Sequence, residues 1–213
     1  ALAVYAAADR LSFYNCRLLG WQDTLFVGGP ITCQRKKLML PDFFTASKIK
    51  VDHSLIRNYF KDCYICGDVD FIFGPNTAFF ENCEIHSRER SSEEKAFITA
   101  ASTPKEQEYG LVFSHCHLTG EEDANVYLGR PWRDFAKTAF VRCTMDPHIC
   151  PEGWQNWGRV RAEVLCDYVE YANEGPGAAP EKRAPFSRQL ENPQLDDYFS
   201  RENVLKGLDG WNP

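Results

Sequence analysis

The sequence predicts an all-β fold built as a solenoid of parallel strands, and a short repeat is the main reason. The pattern Phe-x-x-Cys-x-(Leu, Ile or Met) has the alternation of a strand with one apolar face. It occurs five times, as Phe13–Leu18, Phe60–Ile65, Phe80–Ile85, Phe113–Leu118 and Phe140–Met145. A unit of about 20 residues, lengthened in places by loops, is typical of stacked coils. The rival arrangement, an antiparallel sandwich, is less favoured because two-residue hairpin signals are scarce.

Composition and charge describe one ordinary globular domain. The chain has 213 residues, of which 44% are hydrophobic and 25% are charged, enough for a single domain with a sizeable core. Its net charge of -6 argues against nucleic acid or an anionic membrane as a partner. No apolar run is long enough to span a bilayer. We expect the protein to be a monomer. The chain begins without Met, which predicts that it is part of something longer.

The nine cysteines are interpreted as core residues. Five of them hold the same place in the repeat, and a small buried Cys suits an inward stack where coils lie close together. Cys63 and Cys66 have the spacing of a metal-binding pair, but alternation along a strand points their side chains in opposite directions. The sequence therefore predicts no disulfides, no metal site and no cofactor.

Loops are predicted between the repeats, and short helices after them. A long excursion over Val27–Arg57 contains the basic cluster Arg35–Lys37 and is expected near the functional face. A second loop, dense in charge and Ser, covers residues 88–95. Polar, helix-tolerant residues predict one or two short helices within Leu190–Leu205, packed on the solenoid and followed by an anchored tail.

Gly67–Gly74 is the strand around which the predicted site is built. Apolar residues alternate with Asp68 and Asp70, so Asp70 belongs to the face opposite the apolar one. A carboxylate set among bulky apolar side chains loses solvation, and its pKa shifts. A single aspartate of this kind is more often an exposed strand residue. A second copy elsewhere in the chain changes that judgement.

The second copy is Asp23. Asp23 and Asp70 each come seven residues after the cysteine of a repeat. If those cysteines stack on neighbouring coils, the aspartates stack as well, and their carboxyl groups face each other across about 5 Å. Two carboxylates that close cannot both ionise freely, so one pKa rises and the pair offers a nucleophile or base beside a proton donor. A third copy, Asp123, is interpreted as part of a solvated acidic loop.

Arg130 is the candidate partner for one of these carboxylates. It ends an apolar strand and is held by the following proline, and a guanidinium there can bind a carboxylate in bidentate geometry. Trp132, Trp154 and Trp157 could stack against sugar rings, although a Trp is more often a packing residue. Nothing in the sequence resembles a phosphate loop, a nucleophile elbow or a metal-binding His pair.

Four segments, together and in order, resemble the pectin methylesterases of carbohydrate esterase family 8. They are Gly20-Trp-Gln-Asp-Thr-Leu-Phe26, Gly67-Asp-Val-Asp-Phe-Ile-Phe-Gly74, Leu128-Gly-Arg-Pro-Trp132 and Asn173-Glu-Gly-Pro-Gly-Ala178. The resemblance covers essentially the whole chain. It implies a right-handed parallel β-helix that forms one catalytic domain over residues 1–213 and lacks its first coils. The long excursion after Phe26 resembles bacterial members more than plant ones.

By matching position, the resemblance implies a role for each polar candidate. Asp70 would attack the methyl ester carbonyl of a galacturonate. Asp23 would protonate the departing methanol and then act as base toward the hydrolytic water. Gln22 would help to stabilise the oxyanion, and Arg130 would hold Asp70 ionised and oriented. The scheme is covalent catalysis with an acid–base partner and preorganised donors.

The resemblance also implies a substrate and its groove. Trp132 and Trp154 match aromatic residues of the groove, and Phe26 occupies a groove position that is usually Tyr. The implied partner is methylated homogalacturonan, the methyl-esterified polymer of pectin, and no metal is required. A further oxyanion Gln is expected just ahead of Ala1, so this chain by itself is predicted to be a weak or inactive esterase.

Other functions are compatible with the same fold. A pectate lyase would need acidic calcium ligands and a basic proton abstractor, and a polygalacturonase would need a wider separation of its carboxylates. A non-catalytic, pectin-binding β-helix is the non-enzyme alternative. The localisation is left open, because the resemblance implies an extracellular protein whereas nine apparently unpaired cysteines suit a reducing compartment somewhat better.

Overall fold

The structure, a computed structural model, describes residues 2–28, 56–90, 95–121 and 124–213. Most of the predicted excursion after Val27, including Arg35–Lys37, lies outside the described residues, and so does Asp123. The bacterial-type expectation, which depends on that excursion, stays a prediction.

Strands dominate the described part of the chain. They are β1 (Val4–Ala6), β2 (Leu11–Tyr14), β3 (Arg17–Leu19), β4 (Leu25–Val27), β5 (Arg57–Lys61), β6 (Tyr64–Gly67), β7 (Val69–Gly74), β8 (Thr77–Glu81), β9 (Glu84–Ser87), β10 (Ala96–Ala101), β11 (Leu111–Ser114), β12 (His117–Gly120), β13 (Val126–Gly129), β14 (Lys137–Val141), β15 (Thr144–Met145), β16 (Asp167–Tyr171) and β17 (Arg188–Leu190). They pair in parallel, which confirms the predicted all-β class.

The strands form three sheets that the chain visits in turn. Sheet 1 has the order β1-β4-β7-β10-β13, and sheet 3 has the order β15-β12-β9-β6-β3. Sheet 2, between them along the chain, has the order β17-β16-β14-β11-β8-β5-β2. From β1 to β15 each circuit adds one strand to each sheet, and β16 and β17 then extend sheet 2 alone. The fold is therefore a right-handed parallel β-helix.

The repeated Phe residues form a continuous stack through the core. Successive rings of Phe13, Phe60, Phe80, Phe113 and Phe140 lie 4.5–4.8 Å apart between centroids and are nearly parallel. This spacing matches the distance between adjacent strands of a sheet. The repeat is thus the sequence signature of one interior row, because every coil places its Phe at the same point.

The repeat cysteines occupy the next corner of each coil. The thiols of Cys63, Cys83, Cys116 and Cys143 each donate to the carbonyl of the repeat Phe one coil earlier, at 3.4–3.5 Å. These four are buried, and the cysteines of the described residues are free thiols. The residue before each repeat Cys has a positive φ, at Asn15, Asp62, Asn82, His115 and Arg142. Cysteine therefore fits these corners as a small, hydrogen-bonded core residue.

Short helices follow the last coils. Helix α1 (Ala162–Leu165), a 3-10 turn (Pro180–Lys182), helix α2 (Leu195–Tyr198) and helix α3 (Arg201–Val204) are the helical segments of the described residues. Helices α2 and α3 confirm the predicted helical stretch, and Phe199 and Val204 pack on the outer face of sheet 2. In the described ranges, no helix has the length and apolar character needed to cross a bilayer.

A buried arginine fastens the C-terminal segment to the first coils. Arg57 donates to both Asp9 and Asp209, at 2.9 and 2.6 Å, and to the carbonyl of Leu205 at 3.0 Å. Its guanidinium is almost fully buried, so these bonds satisfy a charge that burial would otherwise make costly. The two ends of the described chain are thereby tied to the same face of the solenoid.

Candidate active site

Asp23 and Asp70 occupy equivalent positions on neighbouring coils. The register pairs Leu18 with Ile65 before them and Leu25 with Ile72 after them, so the two coils stay aligned across this stretch. The amide of Asp23 donates to the carbonyl of Val69 at 3.0 Å. The backbone therefore stacks the two aspartates as their common offset from the repeat cysteines predicts.

The local backbone departs from a regular strand at both aspartates. Asp23 has φ 58° and Asp70 has φ 50°, the left-handed region that Asp tolerates better than most residues. In β7 the register against β10 slips between Phe97 and Thr99. Such a bulge turns a side chain to a new direction and is common beside active sites. The predicted strict alternation is consequently wrong, because Phe71 and Ile72 both enter the core.

Asp70 is held by Arg130 in the bidentate geometry that the sequence predicts. The Nε and Nη2 groups of Arg130 donate to the two carboxylate oxygens of Asp70 at 2.8 and 2.7 Å. The Asp70 side chain is 8% exposed and that of Arg130 is 16% exposed. The backbone amide of Arg130 donates to the carbonyl of Thr99 at 3.0 Å, which fixes the end of β13 beside β10. Two short charge-assisted bonds make this the strongest polar contact at the site.

The two carboxyl groups differ in what stabilises their charge. Burial raises the pKa of Asp70 above its usual value, and the hydrogen bonds and charge of Arg130 oppose that rise. Burial also raises the pKa of Asp23, and the neighbouring charge of Asp70 raises it further. Arg130 donates two hydrogen bonds to Asp70, so Asp70 is the member of the pair better suited to carry the negative charge. Asp23 is correspondingly the better proton donor.

Gln22 precedes Asp23 at the same corner of the coil. Its side chain is exposed, next to the partly buried Asp23. The amide group of a Gln carries two N–H donors. Its sequence position therefore places a neutral donor directly beside Asp23 in the chain.

An aromatic row runs beside the aspartates on the outer face of sheet 1. Tyr5, Phe26 and Phe73 follow one another on β1, β4 and β7, with ring centroids 4.9 and 5.0 Å apart. Trp132 continues the row edge-to-face against Phe73 at 5.9 Å, and it is half-buried. Phe26 is only 2% exposed, so it supports its neighbours and offers little surface to a ligand. Trp132 is the better placed of the two for contact with a sugar ring.

Trp154 lies in the core, which corrects the expectation that it lines the groove. It is 2% exposed, its ring stacks on Tyr168 at 4.2 Å, and Phe140 lies 5.9 Å away. Its indole N–H donates to the buried carboxylate of Glu170 at 3.0 Å. Trp154 therefore extends the interior Phe row.

Sequence reasoning missed the surroundings of the Arg130 guanidinium. The guanidinium carbon lies 3.9 Å from the ring centroid of Phe97 and 3.9 Å from that of Trp157. A second cation–π pair, the partly buried Arg88 over the exposed Trp21 at 4.7 Å, lies next to Gln22 in the chain. These contacts join residues far apart in the chain and outside the repeat, so no spacing in the sequence indicates them.

Asp70 lies on β7 of sheet 1, and Phe73 of the same strand belongs to the aromatic row. Two cavities of about 270 and 440 Å³ lie on sheet 2, beneath the C-terminal segment, and neither aspartate lines them. These two cavities are therefore separate from the aspartate pair.

Comparison with known proteins identifies the family. The family model described as Pectinesterase matches residues 51–207. The chain belongs to the pectinesterase family. Pectinesterase 31 from Arabidopsis thaliana is 40% identical over 206 residues, which cover 96% of this chain and 55% of that protein. Probable pectinesterase/pectinesterase inhibitor 58 from the same plant is 36% identical, over 97% of this chain and 33% of that protein.

Solved pectin methylesterases share the fold of this pectinesterase chain. The enzyme from carrot superposes with a TM-score of 0.80 at 27% identity, over 96% of this chain and 59% of that structure. A pectin methylesterase in complex with a hexasaccharide gives a TM-score of 0.73 at 29% identity, over 100% of this chain and 61% of that structure. The chain thus spans about half the length of Pectinesterase 31 and about 60% of these structures. The resemblance and the β-helix predicted from the sequence are confirmed.

Proposed function

We propose that this chain carries the catalytic centre for hydrolysis of galacturonate methyl esters in pectin, with release of methanol. The observation that supports it is the bidentate Asp70–Arg130 pair with Asp23 at the equivalent position of the adjacent coil. One charged and oriented carboxylate next to a second carboxyl group of raised pKa suits acyl transfer with acid–base assistance.

The first half of the reaction forms a covalent intermediate. A carboxylate oxygen of Asp70 attacks the ester carbonyl carbon, and the carbonyl electron pair moves to oxygen to give a tetrahedral oxyanion. The amide N–H of Gln22 donates to that oxyanion. The intermediate collapses as the C–O bond to the methoxy group breaks, and the proton of Asp23 goes to the leaving oxygen. Methanol departs, and an anhydride links Asp70 to the galacturonate carbonyl.

The second half restores the enzyme with water. Asp23, now ionised, takes a proton from a water molecule, whose oxygen attacks the galacturonate carbonyl carbon of the anhydride. The bond to Asp70 breaks, and the electron pair returns to the Asp70 carboxylate beside Arg130. The products are a demethylated galacturonic acid, which loses its proton to solvent to become galacturonate, and an enzyme with Asp23 protonated again. Each aspartate thus ends in the protonation state in which it began.

The assignment of nucleophile and acid follows from the electrostatics. Arg130 stabilises the anion of Asp70 through two hydrogen bonds, whereas burial and the Asp70 charge favour the protonated form of Asp23. Arg130 also keeps the two Asp70 oxygens in a fixed plane, which limits the orientations from which one of them attacks.

The proposed substrate is methylated homogalacturonan, bound along the outer face of sheet 1 by a monomeric enzyme. The half-buried ring of Trp132 lies next to Phe73 on the aspartate strand. A sugar ring stacked on Trp132 would bring its ester toward Asp70. The exposed indole of Trp21, immediately before Gln22, offers a second ring on the coil that carries Asp23.

Methanol release from highly methylated pectin is the assay that tests this function. The proposal predicts methanol together with an increase in titratable carboxyl groups and no shortening of the polymer. Unsaturated products that depend on calcium would indicate a lyase instead, and new reducing ends would indicate a glycosidase. Binding to pectin without any of these products would support the non-catalytic alternative.

A further inference from the structure

The guanidinium of Arg130 lies between two aromatic rings. The guanidinium carbon lies 3.9 Å from the ring centroid of Phe97, on β10. It also lies 3.9 Å from the ring centroid of Trp157, in the segment after β15. With aromatic partners stacked on its charge, the planar group directs its N–H edge to Asp70. Cation–π attraction of this kind stabilises both the charge of an arginine and its orientation.

We propose that Phe97 and Trp157 are positioning residues for the esterase reaction, which hold the Arg130 guanidinium in the plane that orients the nucleophilic carboxylate of Asp70. This inference rests on the proposed function of Asp70 and adds two residues to it. Neither ring needs to touch the substrate for this role, because both act through Arg130.

Phe97 is fixed by the sheet itself. It is 7% exposed, and its ring stacks on Tyr127 of β13 at 5.3 Å. Its backbone amide donates to the carbonyl of Asp68, two residues before Asp70, at 3.0 Å. The ring that supports Arg130 is therefore attached to the same stretch of backbone that carries the nucleophile.

Trp157 is held in place by its own loop. It has φ 56°, an unusual conformation for a bulky residue. Its amide donates to the side-chain oxygen of Gln155 at 2.5 Å, and the next amide, of Gly158, donates to Asn156 at 2.8 Å. Gln155 is in turn joined through its own amide to the carbonyl of Gly129, next to Arg130, at 3.1 Å. A strained tryptophan persists where its surroundings fix it, and here they fix it against the arginine.

Two further ion pairs tie the Trp157 loop to the segment after Arg130. Arg159 and Arg161 lie 3.8 and 3.4 Å from the carboxylate oxygens of Asp134. The loop is thus joined to the β13 end on both sides of Trp157. Trp157 is 36% exposed, and its ring contacts the Arg130 guanidinium at 3.9 Å. Where the ring makes this contact, it also keeps water from the guanidinium.

The rings affect the reaction through the Arg130–Asp70 contact. A guanidinium with a covered face is less hydrated, and charges attract more strongly where water is excluded. Loss of the Trp157 ring would let water reach Arg130 and allow its plane to rotate. The Asp70 carboxylate would then be less well stabilised, and its pKa would rise. Substrate affinity would change little, because the polymer is bound by other surfaces.

The test compares Trp157→Leu, Trp157→Phe and Phe97→Leu with the unchanged protein. The Leu variants keep apolar bulk and lose the π face, whereas Trp157→Phe keeps a ring. Trp211→Leu is the matched control, because it removes the ring that lies over Arg57 at 5.3 Å, and Arg57 is on β5 of sheet 2 whereas Asp70 is on β7 of sheet 1. The readouts are kcat, KM, the acidic limb of the kcat profile, and the titration of the Asp70 carboxyl carbon by NMR.

The expected result for Trp157→Leu is a loss of about tenfold in kcat with little change in KM. The acidic limb and the NMR pKa of Asp70 should both move upward by about half a pH unit or more. Trp157→Phe should recover most of the rate, and Trp211→Leu should leave all four readouts unchanged. An unchanged kcat and unchanged Asp70 titration in both Leu variants would overturn the proposal. A rise in KM alone would also overturn it, because it would make Trp157 a substrate contact.

The titration separates this inference from the proposed function. If the full-length protein that contains this chain releases no methanol, the esterase proposal fails, yet the NMR pKa of Asp70 still reports whether the rings stabilise the Arg130–Asp70 pair. If methanol is released normally and Asp70 titrates identically in the Leu variants, the esterase proposal stands and the positioning role fails.

Discussion

Removal of Arg130 should destabilise the protein in a pH-dependent way. In the unchanged protein the guanidinium makes two hydrogen bonds, of 2.8 and 2.7 Å, to an Asp70 side chain that is 8% exposed. Arg130→Ala leaves that carboxylate buried without its cation. Breaking a buried ion pair from one side costs about 3–5 kcal/mol of unfolding free energy. At neutral pH we therefore expect a loss of this size.

The sign of the pH dependence follows from the pKa of Asp70. Burial already raises it above the usual value, and Arg130 is what opposes the rise. In Arg130→Ala the folded-state pKa is higher still, while the unfolded-state pKa is unchanged. A carboxyl group whose pKa is higher in the folded than in the unfolded protein stabilises the folded state at pH values below the unfolded-state pKa. This stabilisation is lost as the pH rises through the folded-state pKa. The destabilisation should consequently shrink as the pH falls.

Urea unfolding of both proteins at about pH 4.5 and about pH 7.5 measures this difference. Arg142→Ala is the matched control, because Arg142 forms an equally bidentate pair with Asp196, at 2.6 and 2.6 Å, but in an exposed position. Its removal should have a small effect, since exposed ion pairs contribute little. A loss in Arg130→Ala that is small, or that is the same at both pH values, would refute the electrostatic account of the site.

Three further predictions concern catalysis, core and substrate. Asp23→Asn should lower kcat about 10²- to 10⁴-fold, because the amide cannot supply the proton for methanol; a pH–rate profile with its basic limb intact in this variant would contradict that role. Phe80→Ala removes a ring whose centroid lies 4.7 and 4.5 Å from those of its neighbours, and it should lower the free energy of unfolding in urea by about 3–5 kcal/mol. Tyr14→Ala, at an exposed position, should lower it much less. Equal losses in the two variants would disprove the interior row as a source of stability. The net charge of -6 predicts that the protein binds methylated pectin more tightly than the demethylated polyanion. The difference between the two affinities should become smaller as the salt concentration rises. Tighter binding of the polyanion at low salt would contradict this prediction.

The sequence could predict the aspartate pair because backbone register alone determines it. Parallel coils repeat the same path, so two residues at one offset from a repeat cysteine must stack wherever the coils stay aligned. Leu18 with Ile65 and Leu25 with Ile72 show that alignment on either side of Asp23 and Asp70. The same logic accounts for the Phe row, whose members share one position in every coil.

Contacts outside the repeat could not be predicted in this way. Trp154 has no place in the Phe-x-x-Cys pattern, and only its ring contacts with Phe140 and Tyr168 in the folded structure show that it continues the interior row. Trp157 reaches Arg130 through an irregular loop whose path no periodicity describes. The bulge that redirects Asp70 also breaks the alternation on which the sequence reading relied. Register thus placed the stacked aspartates, while bulges and loops placed their surroundings.

Methanol release by Asp70→Asn is the most direct test that Asp70 is the nucleophile. The amide has nearly the same shape as the carboxylate but is a poor nucleophile, so turnover on methylated pectin should be almost abolished. Binding of a methylated oligogalacturonide and the melting temperature, measured beside the unchanged protein, should show that the variant is folded and still binds substrate. Near-normal methanol release by the folded Asp70→Asn protein would contradict the assignment of Asp70.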